Sequence, residues 1–336
     1  MRALIVDKPG HVRLGEKQDP EAGPGRLIVR VQMCGICGTD LHIIDGEFPP
    51  APYPLVPGHE FAGEVVEAGP GSPPELRPGQ RVAIDPSLFC GHCDACRSGR
   101  GNLCREWGAI GDTVDGAFAE YVAVPAANAY VLPDTVDISA GAMAEPLSCA
   151  VHGARRLGPV TGEPVLVVGA GPMGLLLAQL LRLGGASRVV VVDKNPDRLD
   201  LARTLGADET ARSVAELDGE RFAAAADVTG VPAAIESAFS AVARGGRLLI
   251  FGVAAADTSV RLSPFAIYND EISVIGSMAV LNSYGAALDL LASGQVDVAP
   301  LLGDPFALAD FEAAFAAVRT GQGVKTRIAP PRQGCR

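Results

Sequence analysis

The sequence predicts an α/β chain in two parts: a β-rich half, then a doubly wound parallel sheet. Three observations carry this. Up to Val124 the apolar residues alternate in short runs separated by Gly and Pro, with no long helical period. After Pro164 an apolar run, Val165-Leu166-Val167-Val168, leads straight into Gly169-Ala170-Gly171-Pro172-Met173-Gly174. Strand-type and helix-type runs then alternate, which is the pattern of βαβ units.

In order, residues 3–6 and 27–31 read as strands, with a Gly/Pro-rich turn at 22–25 between them. Residues 61–68, 81–84 and 120–124 are further short strands. Together they suit a barrel or sandwich carrying irregular loops. Residues 165–168 are a buried-type strand, 175–183 a helix and 188–193 a second strand. Residues 225–230, 247–252 and 272–277 each end a strand in a small-residue turn. Two Ala-rich helices near 284–293 and 311–320 and a last strand at 324–328 complete the chain.

Composition narrows the function. A chain of 336 residues with 48% hydrophobic content can fill two cores, and with aromatics at only 5% the filling is mostly aliphatic. A net charge of −11 argues against nucleic acid and anionic membranes as partners, since both need basic patches. No N-terminal apolar run resembles a signal peptide, and no segment reaches the roughly 18 apolar residues of a spanning helix. The expectation is a soluble, cytoplasmic protein. Four of the eight cysteines crowd one short loop, which there suggests metal in preference to disulfides.

The chemistry centres on Met33 to Glu60. Cys37 in M-C-G-I-C-G-T-D-L-H and His59-Glu60 in P-L-V-P-G-H-E put sulfur, nitrogen and oxygen on two nearby turns. Such a set suits a Zn²⁺ with an open fourth position, as catalytic zinc requires. A buried structural Cys and a core His is the plainer alternative. The loop Cys90-x2-Cys93-x2-Cys96-x7-Cys104 suits a closed, structural zinc site. An iron–sulfur cluster or a redox C-x-x-C stays open there, and His92 reads as a solvated loop residue. Glu145, among Ala, Pro and Leu, is either a carboxylate facing the catalytic metal or a helix N-terminal Glu favoured by the dipole.

Gly169, Gly171 and Gly174 stand at a strand–helix junction, and Asp193 ends the next strand 24 residues after Gly169. That is the dinucleotide fingerprint in its required context. Gly169 permits the tight turn, Gly171 the approach of the pyrophosphate to the Pro172-Met173 helix start, and Gly174 close packing. Asp193 would accept from the adenosine ribose and repel a 2′-phosphate, favouring NAD. Lys194 and Arg198 weaken that preference. Thr229, Gly252, Val253 and Ser277 follow strand C-terminal ends, where open α/β sheets bind ligands.

G-I-C-G-T-D-L-H, P-G-H-E-F-A-G-E-V, the four-cysteine loop, E-P-L-S-C-A-V-H-G and V-G-A-G-P-M-G, in this order, resemble the zinc-dependent medium-chain dehydrogenase/reductases, the alcohol and polyol dehydrogenase group. The resemblance covers essentially the whole chain. It implies a GroES-like catalytic domain (1–147), a Rossmann NAD-binding domain (148–282) and a segment returning to the first (283–336), with the active site in the cleft. It implies one catalytic zinc on Cys37 and His59, with Glu60 or Glu145 completing the set, and one structural zinc on Cys90, Cys93, Cys96 and Cys104. Thr39 matches the residue that receives the alcohol proton, His42 the one that relays it onward, and Asp40 a partner that orients His59. Glu145 stands where classical alcohol dehydrogenases have Cys; polyol and threonine dehydrogenases carry Glu there.

The implied reaction is hydride transfer from a secondary alcohol of a polyol, a sugar alcohol or cyclitol, to NAD⁺. The stretch F-A-I-Y-N-D-E-I-S-V-I-G-S-M-A-V-L-N resembles the arabinitol type, while Met278-Ala279 replaces the Arg-Tyr pair of sorbitol enzymes. A threonine dehydrogenase of the same family is the near alternative, and a non-catalytic NAD(H)-binding redox sensor the distant one. Phe48, Phe89, Trp107 and Met278 are candidate pocket residues, or ordinary packing. The family forms homodimers and homotetramers.

Overall fold

The computed structural model describes residues 1–331. The chain divides into two compact units. One comprises Met1–Glu145, Tyr284–Gly294 and the chain from Val298 onward; the other comprises Pro146–Ser283 and Gln295–Asp297.

The first unit is built on a seven-stranded sheet. Its order is Phe306–Ala307, Arg327–Ala329, Arg26–Gly35, Glu60–Ala68, Arg81–Ile84, Ala129–Val131, with Tyr121–Pro125 also paired to Arg26–Gly35. All pairings are antiparallel except that of Phe306–Ala307 with Arg327–Ala329. Arg26–Gly35 is the central strand, and its apolar residues Leu27, Val29 and Val31 meet Phe61, Val65, Val82 and Phe118 in one core. The hairpin Arg2–Lys8/His11–Glu16 adds Leu4 and Val6 to it.

Register sets up the site. Gly35 pairs with Glu60 on one side and with Arg327 on the other. The chain after Gly35, the start of Glu60–Ala68 and the approach to Arg327–Ala329 therefore meet at one end of three adjacent strands. Gly35 is required there: a Cβ would lie 2.1 Å from Glu60 Oε2 and 2.8 Å from Lys325 Cε. Between these strands the chain forms a helix, Gly38–Asp45, where the sequence suggested only a turn. Asp40 Oδ2 accepts from the Cys37 N–H at 2.7 Å, closing the helix start. Eight residues are too few for a helical period to be read.

The second unit is a six-stranded parallel sheet ordered Glu209–Ala211, Arg188–Val192, Pro164–Val168, Phe222–Asp227, Val242–Ile250, Ser273–Gly276. Numbered along the chain this is 3-2-1-4-5-6, the doubly wound order with its reversal between Pro164–Val168 and Phe222–Asp227. Helices Pro172–Leu183, Pro196–Thr204, Pro232–Ser240 and Pro264–Asn269 each begin with Pro, whose missing N–H is harmless in the first turn. Leu166, Val168, Val190, Val192, Ala225 and Leu248 fill a core of this unit. No helix among the described residues is long and apolar enough to cross a membrane.

Candidate active site

Cys37 precedes helix Gly38–Asp45, and His59 precedes Glu60, the first residue of strand Glu60–Ala68. One ligand atom from each of the three lies within 4.8 Å of the others. A sulfur, an imidazole nitrogen and a carboxylate oxygen converging on one point make a donor set that fits Zn²⁺. Glu145 is buried in the first turn of helix Ala144–Leu157 and stands outside this group of three.

Charge around these three residues is dense and buried. His59 Nδ1 lies 3.0 Å from Asp112 Oδ1 and 3.7 Å from Asp40 Oδ1. The Asp112 contact is a close, buried ion-pair contact. Burial opposes charge on His59, but Asp112 and Asp40 outweigh it and raise its pKa well above the ordinary range. Burial raises the Asp40 carboxyl to about 6. Lys325, also buried, sets its ammonium against Glu60 Oε2 and donates to the Ile36 carbonyl at 3.1 Å. Burial lowers its pKa, yet Glu60, Cys37 and Glu145 together raise it. Thr39 Oγ1 is 3.7 Å from Cys37 Sγ. His42 Nδ1 is 2.8 Å from Glu47 Oε2 on a half-exposed face.

The four cysteines of the second loop converge as well. Their sulfurs are 3.5 Å apart for Cys93–Cys96 and Cys90–Cys104, 3.9 Å for Cys93–Cys104 and 4.0 Å for Cys90–Cys96. A tetrahedron with Zn–S bonds of about 2.3 Å has edges of about 3.8 Å, so the cage fits the ion. The backbone N–H groups of Cys90 and Glu106 point at Cys104 Sγ from 3.3 and 3.2 Å. The Arg105 and Cys96 N–H groups bring the Cys93 thiol down to about 6, while burial and Cys93 push Cys96 up to about 12. A central cation removes that conflict by favouring every thiolate at once. His92 is exposed and turned to the Cys90 carbonyl at 2.9 Å.

In the second unit Gly169 adopts φ +110°, and a Cβ on Gly174 would lie 1.8 Å from the Gly169 carbonyl. Gly171, by contrast, has nothing within 4 Å of a Cβ position. The loop is thus tight against its own backbone and open at the start of helix Pro172–Leu183, as a phosphate cradle needs. Asp193 braces it: Oδ2 accepts from Ala170 N at 2.7 Å and Oδ1 from Asn195 N at 2.8 Å. Beside it, the buried Asp227 accepts from Thr229 N and Oγ1 at 3.2 and 2.6 Å and from Gly230 N at 3.0 Å. Gly252 passes so close that a Cβ would lie 2.1 Å from Gly230 N. Val253 is exposed, and Ser277 donates its N–H to Ile250 O at 3.3 Å.

The profile of the alcohol dehydrogenase GroES-like domain matches residues 23–134, and that of the zinc-binding dehydrogenases matches residues 172–293. The chain is 34% identical over 342 residues to D-arabinitol dehydrogenase 1 of Uromyces fabae, covering 98% of this chain and 97% of the relative. The chain belongs to the zinc-dependent medium-chain dehydrogenase/reductase family. It is also 38% identical over 348 residues to an L-threonine 3-dehydrogenase of Streptomyces avermitilis, covering 97% and 98% of the two chains. A protein of Sinorhizobium meliloti 1021 assigned as a zinc-binding dehydrogenase, solved bound to NADP, superposes with a TM-score of 0.94 at 35% identity, covering 98% and 99%.

As a member of this medium-chain family the chain is an NAD(P)-dependent alcohol dehydrogenase, and its GroES-like and Rossmann-type units are those of the family. Of the expected pocket residues, Phe48 packs on Ile43, Ala51 and Leu55, Phe89 covers Gly101, and Met278 is partly exposed. Trp107 Nε1 is buried without a hydrogen-bond partner among the described residues. Two residues at the Cys37–His59–Glu60 group escaped the sequence reading. Asp112, in G-D-T-V-D-G, drew no expectation from the sequence, and Lys325 falls within the expected last strand at 324–328. Neither carries a local signal, because each meets the site only through chain folded far from it in sequence.

Proposed function

We propose that this protein oxidises a secondary alcohol of a polyol, a sugar alcohol or cyclitol, with NAD⁺ as hydride acceptor. The observation that carries the reading is the mixed group Cys37, His59 and Glu60, whose ligand atoms lie within 4.8 Å of one another. Cys37 and His59 would hold the catalytic zinc, with Glu60 or Glu145 as the carboxylate. When bound, that zinc supplies a Lewis acid that lowers the pKa of the alcohol. Thr39 takes the alcohol proton at Oγ1. His42 carries it onward, its Nδ1 held by Glu47 at 2.8 Å and its ring half exposed to water. Gly169, Gly171, Pro172, Met173 and Gly174 would seat the pyrophosphate, and Thr229, Gly252, Val253 and Ser277 would line the cofactor further along. The hydride chemistry itself belongs to the nicotinamide.

Two finer points belong to the same proposal. Asp193 disfavours a 2′-phosphate, so NAD is preferred, although Lys194 and Arg198 beside it weaken that preference. The edge strand Ser273–Gly276, with Val274 40% exposed, supports association of two copies edge to edge. The polyol reading draws support from the 34% identity to a D-arabinitol dehydrogenase. The 38% identity to an L-threonine 3-dehydrogenase favours a second reading, threonine as substrate.

The deciding experiment follows reduced-cofactor formation with pentitols, hexitols, cyclitols, simple alcohols and L-threonine, each with NAD⁺ and NADP⁺. Turnover of one polyol class with NAD⁺ is the expected result. Turnover of L-threonine alone would replace the substrate, and a preference for NADP⁺ would displace Asp193 from its assigned role.

A further inference from the structure

The carboxylate expected to orient His59 is Asp40, 19 residues before it in sequence and buried near the ring. The geometry gives Asp40 other work. Its Oδ2 accepts from Cys37 N at 2.7 Å and its Oδ1 from Gly58 N at 3.1 Å, so both oxygens tie backbone, and its distance to His59 Nδ1 is 3.7 Å. Asp112 is different. Its Oδ1 is 3.0 Å from His59 Nδ1. Both atoms are buried, and neither has a hydrogen-bond partner among the described residues. Orphaned buried polar atoms are costly, and two of them facing each other at contact distance are each other's remedy.

The loop that carries Asp112 is clamped to the segment that carries His59. Gly116 N donates to Val56 O at 2.7 Å, Ala117 N to Gly58 O at 2.8 Å and Phe118 N to Pro57 O at 2.9 Å. Asp115 Oδ1 accepts from Val56 N at 3.0 Å. A Cβ on Gly111 or Gly116 would lie 2.4 or 2.3 Å from Gly58 O, so only glycine lets the two backbones come this close. Within the loop, Gly111 N bonds Val114 O at 2.8 Å and Asp112 N bonds Ala109 O at 3.1 Å. Three backbone–backbone bonds and one from the Asp115 side chain, on consecutive residues 56–58, hold this loop beside residue 59.

We propose that Asp112 is the positioning residue for the catalytic metal: it takes the Nδ1 side of His59, fixes the ring, and leaves Nε2 as the ligand atom. Asp40 instead holds the backbone at Cys37 and Gly58, the frame on which both ligands stand. The proposal rests on the assignment of Cys37 and His59 as zinc ligands. A carboxylate behind a ligating histidine fixes its tautomer and raises its basicity, and loss of such a partner costs roughly 10–100-fold in metal affinity.

The test is zinc affinity of the full chain by competition with a chelator, on the parent, Cys37→Ser, Asp112→Asn and Asp112→Ala. The four-cysteine loop provides an internal reference, because its zinc does not touch Asp112. The expected result is two zincs per parent chain, loss of one in Cys37→Ser, and weakening of that same zinc by about 10-fold in Asp112→Asn and up to about 100-fold in Asp112→Ala. Asp112→Asn keeps the side-chain volume, so it carries the test even where Asp112→Ala does not fold. Two zincs in the parent with affinity in Asp112→Asn within twofold of it would overturn the role of Asp112 alone. A lowered unfolding temperature with unchanged zinc affinity would do the same, leaving Asp112 a packing residue. A parent that holds only the four-cysteine zinc would overturn the ligand assignment and this proposal with it.

Discussion

Lys325 and Glu60 form the most heavily buried ion pair of the site, 4% and 2% exposed. Such a pair is expensive to break, because the charge left behind has neither water nor partner; removal of one member costs about 3–5 kcal/mol. Lys325→Met is therefore expected to lower the denaturant midpoint of the metal-free chain markedly, and less when zinc is present, since a cation gives Glu60 another partner. Adding Glu60→Gln to Lys325→Met is expected to recover much of the loss. Equal midpoints for parent and Lys325→Met, both stripped of metal, would count against the pair. The contrast between these residues and the ligands shows what sequence can reveal. Cys37 and His59 sit in short runs whose neighbours, Gly, Thr and Pro, are informative on their own. Lys325 is 265 positions from Glu60 and becomes a site residue only because Gly35 pairs with both strands. Glu145 is intermediate: its burial was foreseeable from Ala, Pro and Leu around it, but not its place outside the group of three ligands.

At the scale of elements, the glycine loop separates two roles that the sequence motif merges. Gly174→Ala would force a Cβ to 1.8 Å from the Gly169 carbonyl, so helix Pro172–Leu183 would have to move off its strand. Gly171→Ala meets nothing within 4 Å and sits at φ −71°, which any residue adopts. We expect Gly174→Ala to lose both stability and cofactor. Gly171→Ala should keep its unfolding midpoint and still bind NADH at least about 10-fold more weakly, because the open space is where the phosphate comes; a tenfold loss is about 1.4 kcal/mol. Fluorescence titration with NADH beside a melting curve checks both, and normal binding by Gly171→Ala would contradict the cradle. Asp208 joins the end of that helix to the next strand through Arg182 and the Val189 N–H at 2.7 Å. Burial raises its carboxyl, but the Val189 N–H and Arg182 outweigh it and hold it below its ordinary value. A carboxyl lower in the folded than in the unfolded chain stabilises fully above the unfolded value and loses this as pH falls through the folded one. Asp208→Asn should cost about 1 kcal/mol or less at pH 7, since the pair is partly solvated. That gap should close below about pH 4, near the ordinary Asp value; a gap that persists in a pH series of denaturant melts would point to packing instead. Five strands of this unit and the helix Pro172–Leu183 were legible because each apolar run is closed by Gly, Pro or a charge, whereas the short strand Glu209–Ala211 and the helices Pro196–Thr204 and Pro232–Ser240 were not. The helix Gly38–Asp45 was not legible either, since it spans barely two turns, its N-cap is Cys37, and the aspartate in its first turn, Asp40, serves the backbone of both Cys37 and Gly58.

At the scale of the molecule, the return of the chain to the first unit follows from single contacts that no local pattern announces. Tyr284 donates to the Ile84 carbonyl at 2.9 Å and stacks on Tyr130 with ring centroids 4.8 Å apart. Residues 295–297 nevertheless belong to the second unit, where Gln179 donates to Asp297 O at 3.1 Å and accepts from Asp297 N at 2.8 Å. The strand Ser273–Gly276 raises the remaining question, that of assembly. It closes one side of the six-stranded sheet, and its outer backbone groups lack a strand partner among the described residues. Exposed sheet edges are usually blunted by charge, proline or a bulge. This one reads Ser-Val-Ile-Gly, and the preceding helix Pro264–Asn269 exposes Phe265 and Tyr268 at 71% and 83%. An edge this apolar favours pairing with a second copy. We expect the parent to sediment as a dimer or larger at micromolar concentration, and Val274→Lys to shift it towards monomer, because a charge on the edge strand disfavours edge-to-edge addition. The substituted side chain is already 40% exposed, so folding of the subunit should be preserved, with NADH binding as the check. A parent that sediments as a monomer, or a Val274→Lys variant that stays as associated as the parent, would remove this strand from any subunit contact.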